Sequence, residues 1–106
     1  MSLKQVNDRD FEGSIPPVGV ALVDFGAVWC PPCKALLPIL DSLEQELGER
    51  LPILKVDCDE SPATAGRFKV MSMPTVILFK DGQPVEKWVG LRPKDVYKNG
   101  IARYLS

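Results

Sequence analysis

Apolar positions along this chain fall into two rhythms. Val20 to Gly26 reads Val-Ala-Leu-Val-Asp-Phe-Gly, a near-continuous apolar run that predicts a strand covered on both faces. From Pro32 to Leu47 the residues Leu36, Leu40, Leu43 and Leu47 return at helical spacing, and Ala35 and Ile39 widen the stripe. Pro38 lies inside that helix and is expected to kink it, since its ring removes an amide donor and crowds the preceding turn. Gly48 is the expected stop. Leu51 to Val56 predicts a second buried strand. Ser61 to Phe68 predicts a short helix with Ser61 as its N-cap and Pro62 at its first position. Thr75 to Lys80 is a third strand, and Asp81-Gly82 turns it into a hairpin with Val85 to Val89. Asp8 to Ser14 predicts a short helix. Pro93 to Leu105 predicts a closing one, with Tyr97, Ile101 and Tyr104 on one face and Asn99-Gly100 as a weak point. Helices between parallel-type strands, then a hairpin and a last helix, describe an α/β sandwich with a mixed sheet. At 106 residues the chain is expected to be a single domain, 1–106.

Composition narrows the functional classes. With 45% hydrophobic and 25% charged residues it is that of an ordinary soluble globule. The net charge of -1 comes from 13 basic and 14 acidic side chains, without a Lys/Arg run beyond isolated pairs, so no nucleic-acid partner is expected. No apolar stretch is long enough to span a bilayer, so no membrane partner is expected either. Met1 to Phe11 is polar and mixed in charge, unlike a signal peptide, which makes the cytoplasm the expected location. A monomer is expected. Three cysteines argue against a disulfide-stapled secreted fold. Histidine is absent, which removes Cys-His nucleophilic catalysis, imidazole acid-base chemistry and His-containing zinc sites.

The candidate chemistry lies in Cys30-Pro31-Pro32-Cys33, at a strand-to-helix junction of the kind where ligands of such sheets bind. This spacing lets two thiols bridge within one helical turn, and a soft divalent metal can also use such a pair. A structural zinc site wants four ligands, whereas the chain offers three thiols and no imidazole, so no metal is expected. Cys30 stands just before the long helix and Cys33 in its first turn. Unpaired amides and the helix dipole favour a negative sulfur there, making Cys30 the attacking thiolate and Cys33 the resolving thiol. Proline is tolerated in a first turn. Yet neither Pro31 nor Pro32 can donate to the Cys30 sulfur, and Pro31, preceding a proline, is expected to be pushed from helical angles. The motif should be stiffened and its dithiol-disulfide equilibrium moved. Asp24, between Val23 and Phe25, is the natural proton carrier for Cys33, its pKa raised by apolar surroundings. The alternative is a buried polar group kept for fold specificity. Cys58 reads as a small buried hydrophobe.

Trp29-Cys30-Pro31-Pro32-Cys33-Lys34 after Val23-Asp24-Phe25 resembles the active-site stretch of the thioredoxin family. The likeness continues through Lys55-Val56-Asp57, Met73-Pro74-Thr75, Phe79-Lys80-Asp81-Gly82 and Val89-Gly90. It implies the thioredoxin fold, a three-layer α/β/α sandwich around a central mixed sheet. It implies a protein-disulfide reductase with a redox-active Cys30–Cys33 pair and a part in cell redox homeostasis. Lys55 would lie beside Asp24 on the adjacent strand and tune it. A cis Met73-Pro74 bond would leave the Met73 backbone free to pair with an extended substrate segment, and Trp29, Met73, Pro74, Gly90 and Leu91 would form the docking surface. No tightly bound cofactor is required. Oxidised client proteins and an NADPH-dependent, flavin-containing thioredoxin reductase would be the partners. The chain departs from the family in three places: glycine often stands where Pro31 is, tryptophan commonly where Gly26 is, and an aliphatic residue usually where Cys58 is. Other readings are a disulfide oxidant or isomerase on the same fold, a metal-binding module using Cys30, Cys33 and Cys58, and a scaffold within a larger complex.

Overall fold

The structure is a computed structural model and describes residues 3–105. The apolar run forms β2 (Val20–Gly26), the central strand of a five-stranded sheet ordered β1-β3-β2-β4-β5. β3 (Ile53–Asp57) lies parallel to β2, and β4 (Thr75–Lys80) antiparallel on its other side. β1 (Lys4–Val6) adds to β3 in parallel, and β5 (Gln83–Val89) to β4 in antiparallel. Parallel neighbours cannot be joined by a tight turn. The link from β2 to β3 is α2 (Pro31–Leu47), which runs through Pro38 and stops at Gly48 with φ 53°.

Strand parity sorts the core into two layers. Val20 and Leu22 pack with Leu36, Leu40 and Leu43 of α2, with Val76 and Leu78 of β4, and with Tyr97 and Ile101 of α4 (Lys94–Ala102). Val23 and Phe25 face the opposite way. They meet Val6, Phe11 of α1 (Phe11–Ser14), Leu54, Val56, Ile77 and Phe79, and Phe68 at the end of α3 (Pro62–Arg67) packs against them. Helices thus cover both faces of a mixed sheet, the three-layer α/β/α arrangement that the resemblance implies. Asp24 and Gly26 share parity with Val20 and Leu22, so they point toward α2.

Several boundaries differ from the sequence expectation, each for a local reason. β1 carries no detectable pattern, because only Val6 of its three residues is buried. α1 starts at Phe11 rather than Asp8: Asn7 Oδ1 accepts from the Arg9 and Asp10 amides and holds that stretch in a turn. Ser61 does not cap α3 with its side chain. The Asp8 carboxylate does so from across the fold, accepting from the Thr64 amide at 2.8 Å, the Thr64 hydroxyl at 2.7 Å and the Ala63 amide at 3.2 Å. Those bonds, the Thr64 hydroxyl first, hold the Asp8 pKa below its ordinary value. β3 begins two residues late, after Pro52, whose nitrogen has no hydrogen to donate to the sheet although its carbonyl accepts from the Leu22 amide at 2.9 Å. β5 begins early and takes in Pro84 beside a register shift at Leu78/Phe79, where a missing donor is tolerated. Asp81 (φ 51°) and Gly82 (φ 84°) form the expected tight hairpin turn. α4 passes through Asn99-Gly100 and ends at Ala102. Gly100 is required there because a Cβ would collide with the Trp88 ring, which stacks edge-on against Tyr97 at 5.3 Å.

Candidate active site

Where β2 ends, Ala27 to Trp29 turn the chain into α2, and Cys30 becomes the helix N-cap at φ -95° and ψ 110°. Extended angles suit a residue that precedes proline. Pro31 itself is the first helical residue, contrary to the expected push away from helical angles. The preference at a Pro-Pro step is overridden by a helix anchored through Leu36, Leu40 and Leu43. Both prolines lack an amide hydrogen, so Cys33 supplies the first free donor of the helix. It donates to Cys30 Sγ at 3.3 Å. Cys30 and Cys33 are joined as a disulfide with their Cα atoms 5.2 Å apart. Both residues are buried, at 4% and 6% exposure.

Asp24 lies on the α2 side of β2, opposite Lys55 in the parallel register with β3 and opposite Val76 in the pairing with β4. It is buried, and its Oδ1 receives no hydrogen bond from the protein. Burial pushes its pKa from 3.8 up to about 7, and the Lys55 ammonium only partly offsets that. The two do not form an ion pair among the described bridges, so charge acts here across space rather than through contact. Gly26 stands between Asp24 and the dithiol: a Cβ there would lie 3.2 Å from Cys33 Sγ and 3.8 Å from Asp24 Oδ1.

The opposite wall is the loop before β4. Met73-Pro74 is cis, and the Met73 carbonyl oxygen lies 3.7 Å from Cys30 Sγ. Met73 packs with Ala27, Cys30 and Cys33 in a small apolar cluster. The Pro74 carbonyl accepts from the Gly90 amide at 2.8 Å, which ties the end of β5 to this loop; Gly90 has φ 85°. Trp29 is 60% exposed beside the dithiol, its indole N–H donating to Asp59 Oδ2 at 2.6 Å. Leu91, which follows Gly90 in the chain, is also exposed.

The structure therefore gathers Cys30, Cys33, Asp24, Lys55, Trp29, Met73, Pro74 and Gly90 at one end of the sheet. Sequence reasoning missed three features of this end. Val28 and Met71 are exposed apolar residues flanking Trp29 and Met73. Asp59 orients the indole. Gly26 opens a cavity beside Cys33. Only the last left a signal, a glycine at the end of an otherwise bulky strand. Cys58 is half-buried rather than fully buried, and its amide donates to the Gly26 carbonyl at 2.8 Å. Burial, then the carboxylates of Asp57, Asp24 and Asp59, push its thiol up to about 11. Among the described residues no three His, Cys, Asp or Glu side chains gather as a metal cluster.

Comparison with known proteins gives a consistent picture. Residues 2–103 match the family model described as Thioredoxin. Curated thioredoxins from Staphylococcus aureus strains Mu50 and MW2 are each 50% identical over 105 residues, covering 99% of this chain and 100% of theirs. Among solved structures, a mutant thioredoxin from Halobacterium salinarum NRC-1 aligns with a TM-score of 0.90 and 33% identity. That alignment covers 99% of this chain and 92% of the other.

Proposed function

The chain belongs to the thioredoxin family and is a protein-disulfide reductase, and on that premise we propose that Cys30 is its attacking sulfur, Cys33 its resolving sulfur and Asp24 the acceptor of the Cys33 proton. The observation that carries this reading is the Cys33 amide directed at Cys30 Sγ at the opening of α2. In the reduced protein the same donor and the helix dipole stabilise a Cys30 thiolate. That thiolate attacks one sulfur of a client disulfide. The client S–S bond breaks, a Cys30–client bond forms, and the displaced client sulfur leaves as a thiolate. Asp24, ionised above about pH 7, then takes the Cys33 proton. The Cys33 thiolate attacks Cys30 Sγ, closing the Cys30–Cys33 bond, breaking the Cys30–client bond and releasing the second client sulfur as a thiolate; the proton held by Asp24 and one from solvent complete the client dithiol. Lys55 tunes Asp24 by favouring its charged form.

Trp29, Met73, Pro74, Gly90 and Leu91 form the client-binding rim, with the Met73 backbone available for pairing with an extended segment. Family members act on oxidised proteins and are generally reduced by thioredoxin reductase; an NADPH-dependent enzyme of that kind is the proposed electron donor here. Among the described residues no helix is long and apolar enough to cross a membrane. A reducing cytoplasm, where a dithiol is maintained, is the proposed location.

The test is insulin reduction coupled to the midpoint potential of the Cys30–Cys33 couple. Turnover with a midpoint near or below the cytosolic poise supports the reductase role, and a midpoint far above it assigns an oxidant, each 30 mV being about 1.4 kcal/mol. Replacing Pro31 by glycine should move that midpoint, and equal values would remove any role for Pro31 in setting it.

A further inference from the structure

Beside Cys33 lies a cavity of about 260 Å³ whose lining includes Val28 but none of Trp29, Met73, Pro74, Gly90 and Leu91. Asp24, Gly26 and Cys33 border its inner end, Ala27, Leu37 and Val56 give it apolar walls, and Gln5, Lys34, Lys55 and Asp57 bring polar groups to it. Two independent observations mark it as more than a packing defect. The first is the Asp24 carboxyl, 3% exposed, whose Oδ1 has no protein partner. A buried carboxyl oxygen left unpaired is costly, and a donor is demanded at that point. The second is Gly26. A side chain there would start 3.2 Å from Cys33 Sγ and 3.8 Å from Asp24 Oδ1, so its absence leaves the space beside both groups unfilled.

The chemistry around the cavity selects its occupant. Two carboxyl groups, Asp24 and Asp57, and two ammonium groups, Lys34 and Lys55, balance one another, so neither a cation nor an anion gains much net attraction. A neutral molecule with an N–H donor and a separate lone-pair acceptor answers both signs at once. Its donor meets Asp24 and its acceptor faces the lysines, while a small ring fills the apolar walls.

We propose that this cavity is a binding site for small neutral azole-type bases, with the ring N–H directed at Asp24. Such a ligand sits beside Cys33 and leaves the client-binding rim free. The chain contains no histidine, so ring-nitrogen chemistry can reach Asp24 only from outside. The other charged or titratable groups around Asp24 are Lys55, Asp57 and Cys58 from the β3 side, Cys33 and Lys34 on α2, and Tyr97 on α4. Binding rests on the cavity alone and does not depend on the proton role proposed for Asp24.

The experiment titrates imidazole into the oxidised wild-type protein at pH 8, following backbone amide and Asp24 carboxyl resonances by NMR. Saturable shifts confined to Asp24, Gly26, Ala27, Cys33 and Lys55 are expected, while 4,5-diphenylimidazole, too bulky to enter, leaves those resonances in place. Filling the cavity with Gly26→Leu should weaken imidazole binding by about tenfold or more. Absence of saturation in wild type, equal response to the bulky analogue, or undiminished binding in a folded Gly26→Leu protein each overturns the proposal. The size comparison uses wild type alone, so it decides the matter even if the variant fails to fold. Loss of the Asp24 proton role would show instead in the turnover kinetics of Asp24→Asn, with imidazole binding read separately.

Discussion

The two faces of β2 are built to opposite ends. On one face Val23 and Phe25 enter an aromatic cluster in which the rings of Phe11, Phe25, Phe68 and Phe79 lie 5.4–6.0 Å apart in tilted and edge-on pairs. On the other face the same strand finishes with Asp24 and Gly26, an unpaired carboxyl and an unfilled space. Residues one step apart thus serve different tasks. The aromatic face packs rings against one another and contributes cohesion. The other face gives up packing and solvation, and its carboxyl titrates near neutrality on the same side of the strand as Cys33, the sulfur proposed to lose a proton.

Removing the attacking sulfur tests the catalytic face most severely. Cys30→Ser should reduce insulin turnover to the uncatalysed background while its unfolding midpoint stays close to that of the reduced wild-type protein, the fair reference because the substitution removes the Cys30–Cys33 bond. Residual turnover would shift the assignment to Cys33. On the aromatic face, Phe79→Ala should cost about 3–5 kcal/mol in urea unfolding, because a ring touching Phe11 and Phe68 is replaced by a void. The folded fraction should keep the wild-type midpoint potential.

Asp24→Asn should act in the opposite direction on stability. Raising a carboxyl from 3.8 to about 7 costs the fold about 4 kcal/mol once that group is ionised. The native state binds this proton more tightly than the unfolded chain, so its stabilising contribution is complete below about pH 4. It is lost as pH rises toward 7 and stays lost above. Asparagine should therefore stabilise the protein at pH 8 by up to that order and not at all at pH 3.5. The same variant should slow disulfide reduction above pH 7 and leave it little changed below. A pH-independent stability difference would contradict the burial argument, and an unchanged rate profile would remove the proton role.

The smallest effect is expected at Cys58. Its thiol, held up to about 11, is not ionised near neutrality, and Cys58→Ala should alter turnover less than twofold or so while costing about 1 kcal/mol of packing. A large loss of activity would give this thiol a part in the cycle.

The strand and helix pattern was readable because burial imposes periodicity. Val20 to Gly26, Thr75 to Lys80 and the leucines of α2 each reveal their structure through which positions must avoid water. The spacing of Cys30 and Cys33 likewise predicts a bridge within one turn, since local geometry allows little else. What the linear chain cannot express is who meets whom across the fold. Asp8 caps α3 in place of the adjacent Ser61, because a carboxylate brought in from a distant turn reaches amides that Ser61 does not. Asp24 acquires its raised pKa, Gly26 its cavity and Trp29 its Asp59 partner only when β2, β3 and α2 are packed together. Desolvation and long-range contact are properties of assembled neighbours, and they arise only once the sheet has closed around this strand.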